Sequence, residues 1–323
     1  MIFYFFWRYP NVMLALGSIL VFALTVLGLK IFKDKLPADE GRDFAVEGKL
    51  SKGKPRGAGI VFIIAFVAGT LLFSPIKLEH IIYILLVFVE MITGYLDDAA
   101  KIPWGRLKKG ILDLIVALLI SITYVYFNGT KVSVGLLNLS FTIPVWLFII
   151  LAVMMIWLSI NATNCADGVD GLSGTLAIIT IMAFYVADIG KDIFYRFTYP
   201  MIFFVIAILA YLWFNANPSK LMMGDAGSRA MGVFLSIVAL KSGYPFLIIP
   251  FMIVILLDGA LGLFKVMVIK ITKNKNFMSK IRTPLHDHVR KNIEDKWSNP
   301  QVVTRFAIIQ TVICVVTIFI CSR

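Results

Sequence analysis

Charge is what this chain has least of. Only 15% of its 323 residues are Asp, Glu, Lys or Arg, against about 25% in soluble globular domains. Cysteine is scarce as well. Cys165, Cys314 and Cys321 are too few for a disulfide framework, and none has the spacing of a thiolate metal site. Of three histidines, only His286 and His288 are neighbours, and no third strong zinc ligand lies near them in sequence. There is no repeat of 20–50 residues, which excludes a solenoid or propeller. The abundance is apolar: 59% of residues are hydrophobic and the mean hydropathy is +0.88. These values place the chain among all-α integral membrane proteins, as one membrane domain over residues 1–323. The aromatic start, Met1 to Pro10, lacks an A-x-A-like site, so no cleavable signal peptide is expected.

A helix needs roughly 20 mostly apolar residues to cross the hydrocarbon core. Ten stretches qualify as spans: 12–32, 57–74, 79–96, 110–127, 143–160, 171–188, 197–215, 228–242, 244–271 and 302–321. The eighth is short, and the ninth is long enough to bend out of the bundle. With ten spans both termini share a side. The odd-numbered connections and their flanks then carry 24 of the 31 Lys and Arg residues, Arg229 included. That excess places those connections in the cytoplasm and both termini outside. It also explains the net charge of +12 without nucleic acid. Lysines between 33 and 56 would face lipid headgroups. On the outer side, Asn128-Gly129, the alternation of Lys131 to Val134, and the separators Gly135 and Asn138 predict a small β-hairpin.

Four motifs fall in the cytoplasmic connections. Asp97 and Asp98 end the third span, where the helix dipole disfavours acids, so a solvated helix end is the weaker reading. Lys101 follows one turn later, placed to partner the acids or a phosphate. Asn161, Asn164, Asp167 and Asp170 recur every third residue and would share a face on a helix or tight turn. Their amides and carboxylates suit a sugar, a base edge or a metal's water shell, and Gly168 and Gly171 allow close ligand approach. Asp225 and Ser228 open the eighth span after Asn215. They could be ordinary caps, but free N–H groups there also favour a phosphate. His286, Asp287 and His288 sit between Arg282 and Arg290, a set suited to phosphate or carboxylate recognition, with a plain headgroup patch as the bland reading. Glu90, Asp113 and Asp258 are acids within spans and default to function. Glu90 can also be read as a pair within the bundle, and Asp258 as lining the site or a lipid groove.

The pattern resembles the polyprenyl-phosphate N-acetylhexosamine-1-phosphate transferase superfamily, and within it the muramoyl-pentapeptide branch (translocase I). The resemblance runs nearly end to end. It rests on Lys52 to Gly59, Asp97-Asp98, Asn161 to Leu172, Leu212 to Asn215 leading to Met223-Gly224-Asp225-Ala226-Gly227-Ser228, and Pro284 to His288 followed by Trp297 and Val302 to Ile309. It implies transfer of phospho-MurNAc-pentapeptide from UDP-MurNAc-pentapeptide to undecaprenyl phosphate, giving lipid I and UMP. It further implies Mg²⁺, a homodimer, and a bacterial inner-membrane location. By match, Asp225 would bind Mg²⁺, and Asp97 and Asp98 would serve the reacting phosphates. Asn161, Asn164, Asp167, Gly168 and Asp170 would line the nucleotide-sugar site with Asn215, Lys52, Met222 and His288. Lys101 and Lys109 would contact phosphate or uridine, and His286 would matter for activity. Three positions depart from the family. Asp287 stands where it has a middle His, and Met222 where it has an aromatic. Lys54-Pro55-Arg56-Gly57-Ala58-Gly59 stands for Thr-Pro-Thr-Met-Gly-Gly.

A phosphate monoester's second pKa is near 6, so a lipid phosphate is mostly dianionic at neutral pH and needs no strong base. Direct in-line attack is the favoured mechanism, with an aspartyl-phosphate intermediate as the alternative. A UDP-GlcNAc-using transferase is the nearest other function. A secondary transporter would carry its binding residues mid-bilayer, often in inverted repeats, and fits less well.

Overall fold

The computed structural model describes residues 1–41, 51–134, 139–188, 197–274 and 276–321. Gly48 of the first connection, the hairpin separators Gly135 and Asn138, and the outer-side basic residues Lys191, Arg196 and Arg323 lie outside them.

Helices stand at each of the ten apolar stretches. They are α1 (Pro10–Phe32), α2 (Gly59–Phe73), α3 (Leu78–Asp98), α4 (Arg106–Asn128), α5 (Val145–Ala166), α6 (Leu172–Asp188), α7 (Thr198–Asn215) and α8 (Gly224–Lys241). A broken pair forms α9 (Pro245–Phe251 with Ile253–Thr272). A short α10 (Leu285–Lys291) precedes α11 (Asn299–Cys321). Six of these are long and apolar enough to cross a membrane, seven with the bent pair, whereas α2 and α6 are shorter apolar helices. The chain is a multi-pass membrane protein. Between α4 and α5, strand β1 (Lys131–Val134) pairs antiparallel with β2 (Leu139–Thr142), as the alternation predicts.

α8 is the centre. All of its residues from Gly224 to Leu240 are buried, and it packs on α3 and α5. The α3 contact requires glycine: a Cβ on Gly94 would overlap the Asp225 carbonyl, so the backbones touch. Phe234 of α8 stacks on Phe204 of α7 with ring centres 4.0 Å apart, and Phe66 of α2 meets Phe204 edge-on. One expectation fails here. Arg229 is not a basic residue of a cytoplasmic connection. It is 2% exposed, inside the bundle, because α8 begins five residues before it.

α9 bends by 69°. A break inside a bundle frees backbone groups that must find partners. Here the buried Gln310 of α11 accepts from the Val254 N–H at 2.9 Å and donates to the Phe251 carbonyl. Thr180 of α6 donates to the same carbonyl at 2.8 Å. Beyond the bend, residues Leu256–Ala260 form a π-turn that carries the buried Asp258, the kind of irregular turn often found at functional sites.

Candidate active site

The four motifs meet at one end of the bundle. α3 ends on Asp97 and Asp98, α8 begins with Gly224 and Asp225, and the segment before α2 runs alongside α8. Ala58 and Gly59 donate backbone hydrogen bonds to the carbonyls of Met222 and Met223, each at 3.0 Å, and the Met222 N–H donates to the Pro55 carbonyl at 2.8 Å.

The two neighbouring acids of α3 are in different situations. Asp98, fully buried at its side chain, accepts from the Asp225 N–H at 3.1 Å and the Ala226 N–H at 3.0 Å. It is the anion at the N-terminus of α8, where unpaired N–H groups and the dipole favour negative charge. Gly224, at φ +68, leaves the space that the Asp98 carboxylate fills. Asp97 instead pairs with Lys109 of α4 and accepts from the Trp104 N–H at 2.6 Å.

Lys109 reaches on to Asp225 Oδ2 at 3.0 Å. The other Asp225 oxygen meets Arg56 Nη2 at 3.0 Å, and Arg56 also contacts Asp98 at 2.8 Å and Asp39 at 3.5 Å. Asp225 lies ahead of the apolar run of its helix. Burial works to raise its carboxyl, but Lys109 and Arg56 outweigh burial and hold it well below the usual carboxylate range.

The Asn161 segment closes the other side, though not on one face. α5 ends at Ala166, so the three-residue spacing changes from helix to turn midway and the side chains diverge. Asn164 donates to Ser228 of α8 at 2.9 Å. Asn161 turns back to the Trp157 carbonyl of its own helix at 2.8 Å. Asp167 accepts from Ser173 at 2.8 Å. Asp170 accepts from the Ser219 N–H at 3.0 Å and lies 3.9 Å from Lys54. Asn215 bridges the Gly171 N–H and the Leu221 carbonyl at 2.8 and 2.9 Å, which positions both motifs.

His286 and His288 diverge because α10 is helical and residues two apart do not share a face. His286 is buried. Its Nδ1 and its backbone N–H both meet the Asp258 carboxylate at 2.7 Å. Its Nε2 faces Gly168, where a Cβ would overlap the ring. His288, half-buried, accepts from the Arg282 N–H at 3.3 Å. Asp287, the departure from the family, sits 3.3 Å from Arg290 and 3.8 Å from Arg282. An acid here draws in the two arginines that the sequence suits to phosphate or carboxylate recognition. Met222 is half-buried, and Lys52 and Lys101 are exposed.

Arg56 is the residue that sequence reasoning undervalues. It touches three carboxylates, yet in sequence it is one of eight basic residues between 30 and 56. Pro55 before it and Gly57 after it are the signal that sets it apart. Asp39 and Trp104 carry no sequence signal of their own.

Among the described residues, no three His, Cys, Asp or Glu side chains form a ready metal cage. The donor set still suits magnesium, which usually keeps its waters and binds through one or two carboxylates plus substrate phosphates. Among the described residues, Asp39, Asp97, Asp98 and Asp225 form ion pairs only with Arg56 and Lys109. Four acids against two cations leave a negative excess that one divalent cation would match.

Comparison with known proteins gives the family. The glycosyl transferase family 4 profile matches residues 80–243, from α3 to the end of α8. The phospho-N-acetylmuramoyl-pentapeptide-transferase of Treponema pallidum (strain Nichols) is 38% identical over 301 residues, covering 85% of this chain and 80% of its own. Proteins of the same name from Wolbachia pipientis wMel (30% over 312 residues, 90% of each chain) and Listeria monocytogenes (29% over 308 residues, 88% and 91%) align as broadly. The chain belongs to glycosyl transferase family 4 and, within it, to the phospho-N-acetylmuramoyl-pentapeptide-transferases.

Proposed function

We propose that this chain transfers phospho-MurNAc-pentapeptide from UDP-MurNAc-pentapeptide to undecaprenyl phosphate, releasing UMP and forming lipid I. The observation that carries the reading is the convergence of Asp97, Lys109, Asp225 and Arg56 at one end of an apolar bundle, beside the Asn164 to Asp170 segment. A lipid nucleophile and a soluble nucleotide donor can meet only at such a boundary. The whole chain acts as one transferase domain with ten spans. Both termini face outward, the site faces the cytoplasm at the bacterial inner membrane, and the functional unit is a homodimer.

Attack on a diphosphate is opposed by charge repulsion, so catalysis is mainly electrostatic stabilisation of the reacting phosphates. Lys109 and Arg56, with side chains 27% and 19% exposed, supply positive charge from the protein. Asp225, with Asp97, would hold Mg²⁺, which when bound neutralises the donor diphosphate. Asp97, partnered by the mobile-stemmed Lys109, positions the lipid phosphate for direct in-line attack. Asp98 holds the start of α8 in place for Asp225. Asn161, Asn164, Asp167, Gly168 and Asp170, with Lys52, Lys101, Asn215, Met222 and His288, surround the nucleotide sugar. The Asp258–His286 pair fixes the ring so that Nε2 faces the Gly168 turn.

The test is UMP release by purified protein with undecaprenyl phosphate and Mg²⁺, comparing UDP-MurNAc-pentapeptide with UDP-GlcNAc. Release with the muramoyl donor alone supports the reading. Release with UDP-GlcNAc alone keeps the chemistry and overturns the substrate.

A further inference from the structure

Just inside the bundle lies a second set of charges that the reaction does not touch. Arg229 of α8 approaches Glu90 of α3 at 2.8 Å and pairs with Asp113 of α4. All three side chains are at most 4% exposed. The helices that meet here are the three that carry Asp97, Lys109 and Asp225.

The spacing links the two sets. Asp225 and Arg229 are four apart on α8, Lys109 and Asp113 are four apart on α4, and Glu90 and Asp97 are seven apart on α3. Such intervals place each pair on one face of its helix. α4 and α8 both start at the site and run away from it, so the lower contact lies about 6 Å deeper, one turn of rise. The order of charge is inverted between them: cation then acid on α4, acid then cation on α8.

That inversion makes the pair of helices a register key. If α4 slid one turn deeper along α8, Lys109 would face Arg229. If it slid one turn shallower, Asp113 would face Asp225. Either slip sets like charges against each other where water is excluded, and one-turn slips of packed helices are a known mode of conformational change. Apolar residues at 90, 113 and 229 would pack at either height. A buried polar contact that specifies register has precedent in coiled coils.

We propose that Arg229, paired with Asp113 and close to Glu90, is a positioning residue for the transfer reaction. It fixes the height of α3 and α4 against α8 and so brings Asp97, Lys109 and Asp225 together. The inference rests on the transferase reading above.

The test measures kcat, both KM values and the melting temperature in detergent for wild type, Arg229→Leu, Arg229→Lys and Glu90→Gln. Small displacements at a reacting centre cost about 10²-fold in rate. Arg229→Leu, assayed well below its melting temperature, should therefore lose about 10- to 100-fold in kcat with both KM values within about twofold. Arg229→Lys should recover most of the loss. Should Arg229→Leu fail to fold, Glu90→Gln keeps the Asp113 contact and should show the same kcat-specific loss to a smaller degree. A further variant, Asp113→Arg with Arg229→Asp in the Glu90→Gln background so that no second acid meets position 229, keeps opposite charges face to face but makes each one-turn slip bring opposite charges together. Register keying requires it to be slower than Glu90→Gln alone although the ion pair is restored. If Arg229→Leu or the folded Glu90→Gln has wild-type kcat and a lowered melting temperature only, or if the exchanged pair is as active as Glu90→Gln alone, the positioning role is overturned. If wild type itself releases no UMP from the muramoyl donor, the transferase reading fails, and this inference with it.

Discussion

Asp98→Asn separates chemistry from architecture. The carboxylate accepts two N–H groups at the start of α8 and the Arg56 guanidinium. An amide of the same shape keeps one acceptor oxygen and turns an NH₂ toward the other donor. One charge-assisted hydrogen bond is lost, about 1.5–3 kcal/mol, and with it the interaction of a buried anion with the helix N-terminus, about 1–2 kcal/mol. The sum, about 2.5–5 kcal/mol, corresponds to a loss of roughly 10²-fold to several thousand-fold in the population with α8 correctly started. The assay is thermal melting in detergent alongside UMP release, with Asp97→Asn as the comparison. Asp98→Asn should melt far below wild type and lose turnover with it. Asp97→Asn, which lacks the helix-start contacts, should melt closer to wild type than Asp98→Asn and lose more turnover than its stability explains. If Asp98→Asn melts within a degree or so of wild type while turnover vanishes, the capping argument is wrong and Asp98 acts on the substrate.

Lys109→Met removes the cation shared by Asp97 and Asp225 and should lower kcat about 10²- to 10³-fold, as loss of a single electrostatic stabiliser does; steady-state kinetics at saturating donor checks it. Asp225→Asn should lose turnover severely even at saturating Mg²⁺, and chelation should abolish wild-type activity reversibly, read by adding Mg²⁺ back. His286→Gln and Asp258→Asn should each cost activity, and the double variant should cost little more than either alone, because they act as one hydrogen-bonded pair; additive losses would refute the coupling. Gln310→Leu leaves the Val254 N–H and part of the Phe251 carbonyl without a partner at the α9 bend and should destabilise by about 1–3 kcal/mol, seen in the melting temperature before activity.

Much of this protein could be read from its residues. Helix and hairpin positions followed from hydropathy and alternation, because in a bilayer every backbone polar group must be satisfied within the element. That leaves length and apolar content as nearly sufficient signals. The four motifs stood out for a related reason: acids and amides at span ends are expensive without a use. The Asn161 segment shows the limit. Three-residue spacing implies one face only while the helix continues, and where α5 stops depends on what packs at its end.

By itself, then, the sequence determined the membrane class, the ten apolar stretches and which polar segments would gather, since these follow from local pattern and the cost of burying charge. Tertiary structure alone decided the division of labour among like residues. Asp98 caps a helix while its neighbour Asp97 meets Lys109, because successive residues on a helix point about 100° apart and only one direction leads to the start of α8. Arg56 reaches three carboxylates, and Arg229 leaves the basic surface set for a buried contact, because partners 17 to 169 residues away in the chain are set by how the chain packs. Pairings at such range arise only when the bundle closes.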